Sequence, residues 1–131
     1  MLAQFSWIRP FNDRSVVPQC SLLDGHGDIV GEMHSLENLV MDDGGQLMVE
    51  SINLLSEGIE RVSSVLNGGV EKTWDRERWG VCICVDGSVV YSLLDSNYSC
   101  KLKTKKLLNL LMEWRGFLIA ANTEEVKAVE V

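Results

Sequence analysis

A thiol pair one residue apart, Cys82 and Cys84, with Cys100 further along, is the first group of side chains in this chain able to do chemistry. On a strand the two-residue period would put Cys82 and Cys84 on one face, and Cys100 could lie across a sheet from them. Structural zinc prefers Cys-x2-4-Cys knuckles at turns, whereas these cysteines interrupt the apolar run 81–85. They therefore read as small buried hydrophobes, and no metal is expected. Disulfides are not expected either: together with Cys20 the cysteines read as reduced, because nothing suggests export and the core looks large enough without staples.

The two histidines, His26 and His34, are the available general bases, but no nucleophile motif surrounds any serine or cysteine. The segment Asp24-Gly25-His26-Gly27-Asp28 approaches the start of a calcium loop without its spacing or its closing glutamate. Gly25, Gly27 and Gly31 are one residue too widely spaced for a dinucleotide fingerprint. The residues thus point away from catalysis, and no cofactor is expected.

Charge is more informative. The net charge is −7, and between Asp13 and Glu60 ten acids face one base, Arg14, for −9 in that segment alone. Bases gather later, at Lys101, Lys103, Lys105 and Lys106. Such a lopsided molecule disfavours direct nucleic-acid binding, which needs a basic face. It favours a cationic partner, since like charges gathered together destabilise a fold unless something relieves them. A second feature is the segment 71–79, where six charges of both signs surround Trp74 and Trp79. Trp79 starts an apolar strand, whereas Trp74, in a loop after Gly68-Gly69, is either an interface hot spot or a satellite of the core. The loop residues expected to meet a partner are Asp24, Asp28, Asp42, Asp43, Trp74, Asp75 and Glu77.

The elements that must position them follow from periodicity. Phe5 and Trp7 alternate with polar neighbours until Pro10 and the polar residues 12–14 break the strand. The apolar pieces 20–23 and 29–33 flank a small polar loop and read as a hairpin-like pair. Residues 36–41 could be strand or helix. Met48, Ile52, Leu55, Ile59, Val62 and Leu66 form one helical stripe over 46–66, with Asp43 and Gln46 as a capping box and Asn67-Gly68-Gly69 as the stop. Asp86-Gly87 between two β-branched runs predicts a hairpin, its first strand central in the sheet or covered on both faces, and residues 98–103 add a third strand. Leu107, Leu111, Trp114, Leu118 and Ala121 stripe a last helix over 105–121, with Thr104 as its N-cap. Lys105 and Lys106 oppose the dipole of that helix and need another partner.

At 131 residues, 46% hydrophobic and 24% charged, the chain can remove roughly two-thirds of its unfolded surface from water in one core. The expectation is a single α+β domain over 1–122, with five or six mostly antiparallel strands and two main helices. Residues 123–131 are expected to be a tail, frayed or a weak strand. No apolar run approaches the ~20 residues of a membrane span, and the N-terminus lacks a secretory pattern, so a cytoplasmic location is expected.

The acidic bias, the Trp-x4-Trp-Gly lead of Trp74, Trp79 and Gly80 into a hairpin, Tyr91-Ser92-Leu93, and Glu113-Trp114-Arg115-Gly116-Phe117-Leu118 together resemble bacterial immunity proteins of contact-dependent growth inhibition systems. That resemblance implies a cytoplasmic protein that grips a toxin's C-terminal domain, often a basic nuclease, and blocks its active site. A regulatory or scaffold subunit that binds another protein is the alternative. A small hydrolase using His26 or His34 is a third reading, favoured by a deep pocket holding either beside a carboxylate.

Overall fold

The computed structural model describes residues 1–9, 15–45 and 47–131; the expected break at Pro10 to Arg14 and the capping role of Gln46 lie outside them. Among the described residues eight strands form two antiparallel sheets accompanied by three helices, an α+β architecture. The strands exceed the five or six expected because the segment 72–75 and the C-terminal tail also pair.

In the first sheet β1 (Leu2–Ile8) lies between β2 (Val17–Leu23) and β8 (Lys127–Glu130), in the order β2-β1-β8. The alternation read from the sequence is real: Ala3 and Phe5 are fully buried, and Cys20 and Leu22 of β2 join them. The tail beyond residue 122 ends in β8, whose register sets Leu2 opposite Glu130 and Phe5 opposite Lys127.

The second sheet contains β3 (Val30–Gly31), β4 (Lys72–Asp75), β5 (Trp79–Ile83), β6 (Ser88–Ser92) and β7 (Ser99–Leu102), in the order β3-β7-β6-β5-β4. The Asp86-Gly87 turn joins β5 to β6 as expected, with the Cys84 N–H donating to the Gly87 carbonyl at 3.1 Å, and β7 is the third strand of that meander. The hairpin expected across the polar loop 24–28 does not form, because β2 pairs with β1 and β3 pairs with β7. The pieces on either side of the loop enter different sheets. Gly31 permits the second entry: at φ +101°, a Cβ there would stand 2.6 Å from the Ser99 carbonyl oxygen.

Helix α1 (Met33–Met41) resolves the ambiguity at 36–41 and covers β5, β6 and β7. β5 is central, paired with β6 on one side and β4 on the other, which is one of the two arrangements its apolar run allowed; only one of its faces is covered. Val81 and Ile83 are buried, whereas Cys82, Cys84 and the neighbouring Val89 of β6 face outward.

Helix α2 (Met48–Leu66) packs on α3 (Thr104–Ala120) and on β4. Its most buried line is Ser51, Leu55, Gly58, Val62 and Val65, rotated from the expected stripe toward two small residues. The reason is close approach. The indole of Trp74 lies directly on Gly58, where a Cβ would come within 2.6–2.7 Å of three ring carbons. Asp43 does not cap α2 as expected: Leu47 is the N-cap, without a side-chain bond. Asp43 instead accepts the Gly45 N–H at 2.8 Å.

In α3, Leu107, Leu110, Leu111, Trp114, Phe117 and Leu118 are buried as the period required, while Ala121 turns left-handed at φ 50° and ends the helix exposed. Trp114 and Phe117 close on Phe5 and Trp7 of β1 with ring centroids 5.2–5.6 Å apart and stack on each other at 5.9 Å, each such pair adding ~0.5–1.5 kcal/mol beyond its buried area. Thr104 is the first helical residue and not the N-cap, which is Lys103. The Thr104 hydroxyl donates to the Cys84 carbonyl and meets Ser88 Oγ at 2.8 Å, which ties the helix to the β5–β6 turn. Lys106 finds the other partner it needed, donating to the Val131 carbonyl at 2.8 Å. Among the described residues, no helix is long and apolar enough to cross a membrane.

Candidate functional site

A concavity of about 520 Å³ opens between the end of α1 and the β4–β5 turn. Helix α1 ends at Asp42, and the next three residues are Asp43-Gly44-Gly45. Gly44 and Gly45 both have positive φ, +60° and +74°, a succession that only glycine adopts at no steric cost. This bend carries the loop onto the hairpin. The Asp42 carboxylate accepts the backbone N–H of Arg78 at 2.7 Å and of Trp79 at 3.1 Å, and Gly44 packs against Glu77. An adjoining hollow of about 200 Å³ shares Asp42, Asp43 and Glu77 and adds Asp75, Arg76 and Leu54.

Beneath this rim lies a buried cation. Arg76 is 9% exposed, and its Nη1 donates to the carbonyls of Leu39 and Val40 at 2.9 and 2.8 Å. Those carbonyls belong to the last turn of α1, where a positive charge is favoured by the helix dipole. The guanidinium also lies over the Trp74 ring, 5.2 Å from its centroid. Burial pulls its pKa down to about 10, while Asp42 and Asp43 push it up, so it remains charged at neutral pH. Its Nε and Nη2 find no partner among the described residues.

The structure sorts the seven expected contact residues into three groups. Asp42, Asp43, Asp75 and Glu77 converge on the cleft although they come from two distant parts of the chain. Asp24 and Asp28 do not line it. Asp24 accepts the N–H groups of Asp28 and Ile29 at 2.8 and 2.7 Å and so closes its own loop. Asp28 accepts from the Met1 ammonium at 2.6 Å, with Lys106 at 3.7 Å, an internal arrangement that accounts for part of the acidic excess. Trp74 is 1% exposed. It is a core residue that supports the cleft from below and offers nothing to a partner.

The described acids of this half, Asp24 to Glu60, therefore form no single face. Glu37 is buried, accepting the Leu22 N–H at 2.8 Å and meeting His34 Nδ1 at 2.5 Å, and Glu57 pairs with Arg61. Neither histidine lines the cleft. The sequence reading overlooked Leu54, which lines both the smaller acidic hollow and a groove of about 340 Å³ with Glu50, Asn53 and Glu57 on α2. Through it the acidic surface continues from the cleft along the helix. Leu47 and Val49 stand 71% and 62% exposed at the start of that helix, beside the loop. Their signal was present in the sequence, as apolar residues off the buried stripe of an amphipathic helix. Comparison with protein-family models, with curated proteins and with solved structures finds no match.

Proposed function

We propose that this chain is a binding protein whose acidic cleft receives a basic segment of a partner protein, and that it acts in the manner of a toxin-immunity protein. One observation carries the reading: carboxylates from the α1–α2 loop and the β4–β5 turn meet around one cleft and extend along α2 through Leu54. Four acids converge where the nearest bases are Arg78 and the buried Arg76, so the rim stays negative.

The chemistry of the lining suits recognition. It offers acceptors and some apolar contact from Leu54, Met41 and Trp79, and no histidine, cysteine or serine. A cationic side chain entering the cleft would exchange water for several carboxylate acceptors, and a negative potential would speed encounter with a positively charged protein. A nuclease toxin must hold phosphates, so its active-site groove has the required sign. Covering such a groove with an acidic surface blocks catalysis without any chemistry by the inhibitor.

The test is association kinetics with a candidate basic nuclease-toxin domain. The double variant Asp43→Lys with Glu77→Lys should slow association and flatten its dependence on salt, while Asp24→Asn should leave both unchanged. Rates in low and high salt that do not differ for the unaltered protein would overturn electrostatic recognition.

A further inference from the structure

The outer face of the second sheet carries a separate cluster. Cys82 and Cys84 project from the same side of β5 and its continuation, as the strand period demands. The β4–β5 register pairs Thr73 with Cys82 and Lys72 with Ile83, so its continuation sets Glu71 opposite Cys84 and diagonal to Cys82. One donor atom from each of Glu71, Cys82 and Cys84 lies within 4.8 Å of the others. Cys82 Sγ donates to Glu71 Oε1 at 2.7 Å. Glu71 is exposed and both thiols are half-buried, so the cluster opens to solvent. Cys100, which the sequence suggested might join them, pairs with Val90 and is buried on the opposite face, as is Cys20 in the first sheet.

We propose that Glu71, Cys82 and Cys84 form a three-donor site for a thiophilic d10 cation of the zinc class. The donor set is the argument. Zinc binds thiolate at ~2.3 Å and carboxylate at ~2.0–2.2 Å in a tetrahedron, so its donors stand only a few ångströms apart. The three atoms here are already gathered within that reach on two hydrogen-bonded strands, and small rotations of the side chains complete the geometry. Paired thiolates select zinc, cadmium or copper(I) over magnesium or calcium, which prefer oxygen. Three protein donors leave the fourth tetrahedral position open to water.

The proton balance is explicit. Cys82 is held as a thiol by the hydrogen bond that it donates to the Glu71 carboxylate. Binding replaces the two thiol protons, which pass to solvent, by two metal–sulfur bonds, while Glu71 turns from accepting the Cys82 proton to ligating the metal. A divalent ion with two thiolates and one carboxylate leaves the centre at −1. No oxidant or reductant is involved.

Cobalt(II) is the probe. Added to the reduced, metal-free protein, it should give one equivalent of a species with sulfur-to-cobalt charge transfer and the intense visible bands of four-coordination, and zinc should displace it. Cys82→Ser and Cys84→Ser should each abolish the spectrum. Even the loss of an outer partner lowers metal affinity ~10–100-fold, so Glu71→Gln should weaken binding by at least that range. Cys20→Ser and Cys100→Ser should leave the spectrum intact. As a readout independent of variants, zinc should protect Cys82 and Cys84 of the unaltered protein from iodoacetamide, with the protected positions mapped by mass spectrometry. A pale six-coordinate cobalt spectrum, a tetrahedral spectrum that survives loss of both thiols, or equal alkylation with and without zinc would overturn the site. So would a Cys82–Cys84 disulfide that forms under mild oxidation in a protein that takes up no cobalt when reduced.

Discussion

Adding one methyl group to α2 tests how the cleft is supported. Glycine in a helix interior is less favourable than alanine by ~1 kcal/mol, so local propensity alone says that Gly58→Ala stabilises the protein. The packing says the opposite. The new Cβ would stand 2.6–2.7 Å from three ring carbons of Trp74, well inside ordinary contact distance. The indole is 1% exposed and is covered by the Arg76 guanidinium, so it cannot swing into solvent without dragging the buried charge with it. Overfilling a packed core costs ~1–3 kcal/mol, occasionally more, and at such a short distance the upper part of that range applies. Set against the propensity gain, a net loss of ~1–2 kcal/mol is expected. With urea slopes of ~1–3 kcal/mol per molar for small proteins, the unfolding midpoint should fall by ~0.3–2 M. Two controls isolate the cause. Gly116 in α3 has open space around its missing Cβ, so Gly116→Ala should stabilise by ~0.5–1 kcal/mol. In a Trp74→Leu background, where the offending ring is gone, Gly58→Ala should lose its penalty and give a positive coupling in a double-mutant cycle. A Gly58→Ala protein as stable as its parent, or more so, would refute the claim that Trp74 sets the distance between α2 and β4.

Other perturbations follow from the same contacts. Asp42→Ala leaves the Arg78 and Trp79 N–H groups without their acceptor and should destabilise by ~1–3 kcal/mol in urea unfolding, more than Asp43→Ala, whose carboxylate accepts the exposed Gly45 N–H. Thr104→Val removes the hydroxyl that joins α3 to the β5–β6 turn and strands the Ser88 hydroxyl in a buried site, so a loss of ~1–3 kcal/mol is expected by the same measurement. The Met1–Asp28 pair predicts a pH profile. The hydrogen bond to the Met1 ammonium lowers the Asp28 pKa, so that contribution is present above ~4 and is lost as pH falls through the folded value. The Asp28 carboxylate raises the amine above its usual ~8, so this contribution is present below ~8 and is lost as pH rises through the raised value. Asp28→Asn should therefore lower the urea midpoint most between those limits, and the gap from the parent protein should close at both ends. A gap independent of pH would show that the ion pair is not its source.

Short-range order was legible. Helix α3 and the body of α2 announced themselves by apolar residues at three and four residue spacings, and the β5–β6 turn by Asp86-Gly87, because these patterns depend only on neighbours along the chain. Where two elements needed close contact the pattern misled. Gly58 and Ser51 look like interruptions of the α2 stripe, yet they lie at its buried centre because the Trp74 indole and the facing helix require small residues. Trp74 itself, surrounded by charges in sequence, is buried because the neighbouring guanidinium of Arg76 turns inward to cap α1.

By itself the order of residues determined the α+β class, the principal helices, the meander and the negative charge, all properties that neighbouring positions or simple totals specify. Only the tertiary structure decided which acids act together. Asp28 was drawn to the Met1 ammonium, Asp24 closed its own loop, and Asp42 and Asp43 were joined to Asp75 and Glu77 by the bend at Gly44-Gly45. It also turned Cys82 and Cys84 to the open face of a sheet, beside Glu71. The physical reason is common to these cases: Coulomb attraction and hydrogen bonding depend on distance in space, and that distance is set by sheet pairing and helix packing between segments that lie far apart along the chain.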